Sequence, residues 1–143
     1  MTAHKTAERC AELMWKGDNA SRSLGMELVD VAPGRATLRM TLREDMVNGH
    51  GIGHGGFTFS LADSAFAFAC NTYNRRTVAQ SAEIAFRVPT ALGDVLTAEA
   101  VERSREGRDG IYDVTVRKGD ELVAEFVGHS KEIRGSFFEG EQP

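Results

Sequence analysis

Residues 48–71 read NGHGIGHGGFTFSLADSAFAFACN, a glycine-rich loop running into a long apolar stretch with one acid, Asp63, near its middle. From Gly55 through Asn74 no other side chain carries a formal charge. The neighbours of Asp63 at helical spacing, Phe59, Ser60, Phe66 and Ala67, are largely apolar. The pattern predicts a helix that is apolar all round and therefore buried. A transmembrane span would need about 18 uninterrupted apolar residues, more than this run supplies. Burying a lone carboxylate costs on the order of several kcal/mol unless partners satisfy it, so folding alone gives no reason to place one here. An acid of this kind is a functional-site candidate.

Upstream, an N-terminal helical segment is expected over about residues 6–24. Ala7, Cys10, Ala11, Met14 and Trp15 form one stripe, with Glu8, Arg9, Glu12 and Lys16 off it and Gly17 as C-cap. Asp18 or Asn19 can cap a further short turn ending at Gly25. Met26 to Val31 and Arg35 to Arg43 read as strands joined by Ala32-Pro33-Gly34-Arg35, where proline presets the second turn position and glycine supplies positive φ at the third. The second strand alternates, with Ala36, Leu38, Met40 and Leu42 on one face. Downstream, Thr77 to Val88 reads as a strand ended by Pro89, followed by Val95 to Arg103, Ile111 to Arg117 and Leu122 to Ile133. Short glycine-containing connections join antiparallel neighbours, so the C-terminal half is expected to be a meander. An antiparallel sheet of about six strands must then wrap one long helix, an α+β architecture. Gly135 to Pro143 reads as a loosely held tail.

The chain has 143 residues, 41% hydrophobic and 27% charged, with a net charge of −4. That fits a single domain over residues 1–143 with a core of its own. Basic residues are scattered, which argues against a nucleic-acid surface while leaving room for a local phosphate-binding patch. The N-terminus lacks a signal-peptide pattern, and neither membrane binding nor a disulfide framework is expected. The two cysteines, Cys10 and Cys70, fit a reducing, cytoplasmic setting.

Gly51-Ile52-Gly53-His54-Gly55-Gly56 matches a dinucleotide fingerprint, but no strand directly precedes it, no acid follows about 20 residues on, and antiparallel strands come next. What survives is a helix start whose backbone N–H groups could hold an anion or oxyanion, or glycines that serve only a tight turn. His50, His54 and Asp63 lack a metalloprotease pattern and a further ligand nearby, so no metal is expected; a histidine here could position the loop or hydrogen-bond a substrate, and His50 could equally be structural. Phe57, Phe59, Phe66 and Phe68 read first as packing. Ser60 and Ser64 sit in no nucleophile elbow. The chemistry therefore falls to a carboxylate and backbone donors, a combination suited to acyl transfer to water.

Gly55 and Asp63 are eight residues apart, about 12 Å along a helix at 1.5 Å per residue. Donor and base must meet within about 3 Å of one carbonyl. One helix cannot supply both to the same substrate, whereas two antiparallel copies in a two-fold dimer can. A site shared between subunits is expected.

Asn48-Gly49-His50, His54-Gly55-Gly56 and Leu61-Ala62-Asp63, followed by antiparallel strands, closely resemble the hotdog-fold acyl-CoA thioesterases. The phrases NGHGIGHGG, SLADSAFAFACN and YDVTV resemble the PaaI (phenylacetic acid degradation) subgroup. The resemblance implies a long helix wrapped by a curved antiparallel sheet, dimers joined edge to edge, and homodimers or homotetramers. It implies Asp63 as catalytic carboxylate, with the Gly55 N–H of the other subunit polarising the thioester carbonyl. Asn48 and His54 match positions that orient the thioester or the attacking water, and Ser81 matches a position where some relatives place a water-holding hydroxyl. The activity implied is hydrolysis of a small, aromatic, phenylacetyl-type or hydroxyphenylacetyl-type acyl-CoA. No cofactor is implied, coenzyme A being part of the substrate. Arg75, Arg76, Arg105, Arg108, Lys131 and Arg134 are the cations available for its phosphates. The alternatives are a hotdog hydratase or dehydratase, for which Asp45 and His50 have the spacing of an acid/base pair without the Asn-Pro element between them, and a non-catalytic acyl-CoA sensor.

Overall fold

The Thr2 hydroxyl accepts from the Lys5 N–H at 3.1 Å and starts α1 (Ala3–Gly17), which buries Thr6, Ala7, Cys10 and Ala11. Asp18 caps the short α2 (Asn19–Ser23) by accepting from Ser21. The computed structural model describes residues 1–139. Its strands are β1 (Glu27–Ala32), β2 (Arg35–Thr41), β3 (Thr77–Phe86), β4 (Val95–Glu106), β5 (Asp109–Lys118) and β6 (Glu121–Glu132), with α3 (Gly55–Cys70) between β2 and β3. The β1–β2 turn is the expected one, with Gly34 at φ +70°.

All pairings are antiparallel, in the order β1-β2-β4-β5-β6-β3. The meander therefore runs through β4, β5 and β6 only. β3 lies beyond β6 at the edge, and β4 returns to pair with β2. The short connections determine neighbours only where they occur, and the longer one after β3 leaves its place open. With the helix wrapped by the curved six-stranded sheet, this is the hotdog fold.

The core lies between α3 and the sheet. Leu61, Ala62, Ala65, Phe66, Phe68 and Ala69 are buried with Leu38, Met40, Leu96, Ala98, Val114 and Phe126. The Phe66 ring meets Tyr112 and Phe126 with centroids 5.7 and 5.8 Å apart. It also lies flat on Gly128, where an added Cβ would fall 2.7 Å from the ring. Trp15 reaches Phe68 at 6.0 Å, which docks α1 on the helix end.

Two expectations change. The helix is not buried all round, since Gly56 is exposed and Ser60, Asp63 and Ala67 are partly exposed along one stripe. The sheet covers most of the helix, and Trp15 and Ser21 reach it at Phe68 and Ser64. The tail is not loose over residues 135–139. Arg76 N–H donates to Gly135 O at 3.0 Å, and the Asn74 side chain accepts from Phe137 and Phe138 N–H and donates to Phe138 O. Asn74 is fully buried and holds φ +58°, a conformation asparagine tolerates better than most residues. The remainder of the expected tail lies outside the described residues. Among the described residues no helix is long and apolar enough to cross a membrane.

Candidate active site

The loop before α3 is tied by Asn48. Its Oδ1 accepts from the N–H groups of His50 and Ile52 at 2.9 and 3.1 Å, and its own N–H donates to Ile52 O at 2.8 Å. Gly51 takes φ +77° inside this knot. Gly53 then docks on the segment after β3, donating to Thr90 O at 2.9 Å, with no room for a Cβ beside the Thr90 and Leu42 side chains. The His54 N–H donates to Met46 O at 2.8 Å. The glycines are thus more than turn formers, because they let the loop lie against two other segments.

His54 is the N-cap of α3. Its Nδ1 accepts from Gly56 N–H at 3.1 Å, and its carbonyl accepts from Phe57 N–H at 3.0 Å. With Nδ1 as acceptor, a neutral ring carries its proton on Nε2 and presents a donor outward. These bonds satisfy the second and third N–H groups of the helix and leave the first. Among the described residues the Gly55 N–H has no acceptor. An open donor at the positive end of a helix is suited to a developing oxyanion.

Asp63 stands on the partly exposed stripe two turns further on. Among the described residues it has no hydrogen bond and no ion pair. Burial, with no compensating donor, raises its pKa above the ordinary 3.8. It is therefore a stronger base than a surface aspartate. Because α3 is unbroken from Gly55 to Cys70, the separation of about 12 Å inferred from helical rise holds within one chain.

A cleft of about 480 Å³ adjoins Gly55, lined by Gly53, Thr58, Phe86, Val88 and Val123 among others. A somewhat larger groove of about 540 Å³ lies against β3, β5 and β6 and touches neither Gly55 nor Asp63. Four of its charges are paired, Arg87 with Glu125 and Arg103 with Asp113, and Glu83 lines it as well. The smaller cleft is the candidate site because it holds the open donor.

Asn48, His54 and Gly55 therefore lie in one tied loop and the helix start that follows it, while Asp63 is held apart on the same helix. Ser81 is exposed on β3 opposite His129, just past a bulge. Ile84 pairs with the core residue Phe126, so alternation puts Ser81 on the other face of the sheet from α3 of its own chain. Asp45 is exposed and its carboxylate is engaged by Arg43 at 3.1 Å, and His50 is exposed on the loop. Of the cations named for phosphates, Arg75 pairs with Glu132, Lys131 with Asp109, and Arg105 stacks on Tyr73 at 3.5 Å. Sequence reasoning missed Phe86 and Thr90, which pack on Gly55 and Gly53. No local pattern marks either, since both contacts depend on where the end of β3 falls in space.

Residues 50–125 match the model of the thioesterase superfamily. The chain is 38% identical over 135 residues to the acyl-coenzyme A thioesterase PaaI of Escherichia coli, covering 94% of this chain and 96% of the relative. It superposes on the structure of the E. coli PaaI protein from the phenylacetic acid degradation operon with a TM-score of 0.92, at 37% identity and covering 94% and 99% of the two chains. It is 31% identical over 117 residues to human acyl-coenzyme A thioesterase 13, covering 78% of this chain and 84% of the relative. Fold, helix-start geometry and likeness agree, and the chain belongs to the thioesterase superfamily.

Proposed function

We infer that this protein hydrolyses an acyl-CoA thioester to the free acid and coenzyme A, and that its acyl group is small and aromatic, of the phenylacetyl or hydroxyphenylacetyl type. The observation that carries the reading is the pairing of two unsatisfied groups on one helix, the Gly55 N–H and the Asp63 carboxylate. Each lacks a partner that the other could supply through a substrate. The acyl group is taken from the likeness to E. coli PaaI, whose structure is described as from the phenylacetic acid degradation operon.

The working unit in this reading is a homodimer, or a tetramer of such dimers, with each site shared. Side chains from Val78 through Glu83 are exposed along β3, a long edge strand of the kind that templates pairing with another chain. Pairing two copies across it sets the α3 helices antiparallel, so that Gly55 of one faces the middle of the other. Asp63 then takes a proton from water, whose oxygen adds to the thioester carbon, or its carboxylate adds directly and water cleaves the resulting anhydride. The Gly55 N–H holds the oxyanion. Collapse breaks the C–S bond, and the sulfur leaves as the CoA thiol with the proton returned. The Asn48 amide and the His54 Nε2–H orient the carbonyl or the water. Ser81 would have a part only if assembly brings its face of the sheet to the site. No metal or bound cofactor takes part. Two buried free thiols suit a cytoplasmic setting.

CoA thiol release from phenylacetyl-CoA and a series of aliphatic acyl-CoAs tests the reading. Release by the wild type, lost in Asp63→Ala, supports it. Tight binding without release from any thioester would point to a sensor, and a wild type that prefers aliphatic chains would remove the aromatic assignment while keeping the thioesterase.

A further inference from the structure

The cleft beside Gly55 has a wall that the chemistry above does not use. Phe86 ends β3, is 55% exposed, and lays its ring against Gly55, so that a Cβ added there would fall 2.9 Å from Cζ. Val88, Pro89 and Val123 continue the same apolar wall, with Gly53 and Thr58 beside them. The cation in this lining is Arg87, whose Nε and Nη2 donate to Glu125 at 2.9 and 2.6 Å. The cleft therefore offers apolar surface and no uncommitted charge.

That composition decides which part of the substrate fits. Gly55 itself lines the cleft, so a carbonyl held at its N–H sits against this wall. Two arms leave that carbonyl, an amide-rich one ending in phosphates and an apolar acyl group. Only the second matches a wall of Phe86, Val88, Pro89 and Val123. Resting on the thioesterase reading, we propose that this cleft takes the acyl group and that Phe86 sets acyl selectivity. Its ring meets the aryl group of an arylacetyl thioester edge to face or offset-stacked. The subunit that supplies the oxyanion donor then also supplies the acyl pocket, and its partner supplies the carboxylate.

The test compares kcat/KM for phenylacetyl-CoA with that for acetyl-CoA in the wild type, Phe86→Ala and Val88→Phe. Phe86→Ala lowers the phenylacetyl-to-acetyl ratio by about tenfold or more, the usual scale for losing apolar contacts in a pocket. Val88→Phe, which fills the cleft, lowers the same ratio by a comparable factor. An unchanged ratio in Phe86→Ala overturns the proposal whatever the separate rates do, because the acyl group must then lie elsewhere. Should that variant fail to fold, the ratio in Val88→Phe decides by the same criterion. A wild type releasing CoA from neither substrate nor from any longer acyl-CoA overturns the thioesterase reading itself, and this inference with it.

Discussion

From Ala65 to Cys70, α3 buries every side chain but Ala67, and Phe66 and Phe68 interlock with Tyr112, Phe126 and Trp15. From Gly55 to Ser64 the same helix buries only Thr58, Leu61 and Ala62. Among the described residues it carries there an N–H without an acceptor and a carboxylate without a donor. The C-terminal half does what a core helix must, and each group in it has a place to go. The N-terminal half is continuous with it in backbone and composition, yet leaves polar groups unmatched. Unmatched groups on an otherwise well-packed element are what a site looks like before its substrate and partner are added.

The sharpest way to break the contrast is to remove the unmatched groups and find nothing lost. Asp63→Ala lowers kcat by about 10²–10⁴-fold, the usual range for a positioned base, while thermal unfolding shows an intact fold. Next comes Gly55→Pro, which deletes the N–H at the first helical position, where proline is well tolerated. His54 already holds ψ 128°, which suits a residue before proline. This variant lowers kcat by about 10²–10³-fold. Gly55→Ala, which keeps the N–H and pushes only on the exposed Phe86 ring, lowers it far less, and equal losses in the two would mean that space rather than the donor matters there.

On the packed half the effects move from rate to stability. Gly128→Ala drives a methyl into the buried Phe66 ring and costs about 1–3 kcal/mol in denaturant unfolding, as overpacking does. The smallest effect distinguishes the halves most directly. Burial raises the folded-state pKa of Asp63 above 3.8, so the folded state holds that proton more tightly than the unfolded chain. Stability is lost as pH rises from the unfolded value through the raised folded value, and the full cost is present above it. Asp63→Asn therefore raises Tm at neutral pH, and the gain disappears below about pH 3 where both states of the wild type are protonated. The acid limb of the wild-type pH–rate profile lies above the ordinary aspartate range for the same reason.

Local rules read most of the fold correctly. The amphipathic stripe of α1, the Pro33–Gly34 turn, the alternation of β2 and the largely apolar run of α3 are each set by residues close in sequence. The place of β3 is not, because it depends on register with β6, whose partner residues lie 38 (Phe86–Ala124) to 55 (Thr77–Glu132) positions away, and nothing in Thr77–Phe86 favours one neighbour over another. The hold on the tail is not local either, since Phe137 and Phe138 are held by Asn74, a residue whose role shows only in its buried, positive-φ backbone. Asp63 and Gly55 stand out in the sequence as a charge and a glycine in an apolar setting, whereas Asn48 and His54 are singled out by resemblance. Ser81 was suggested by resemblance alone, and its face of the sheet is opposite the helix. Phe86 went unnoticed because an aromatic at a strand end is unexceptional until it is found resting on Gly55.

The central claim is that Asp63 and the Gly55 N–H serve one substrate from two chains. Mixing inactive Asp63→Ala with inactive Gly55→Pro, dissociating and re-forming the oligomer, tests it most directly. With sites shared across a two-fold axis, half the re-formed dimers are mixed and each mixed dimer has one intact site. Activity then returns to about a quarter of wild type. If both groups act from the same chain, every site keeps one defect, and re-formed mixed dimers with no activity above the separate variants would contradict the account.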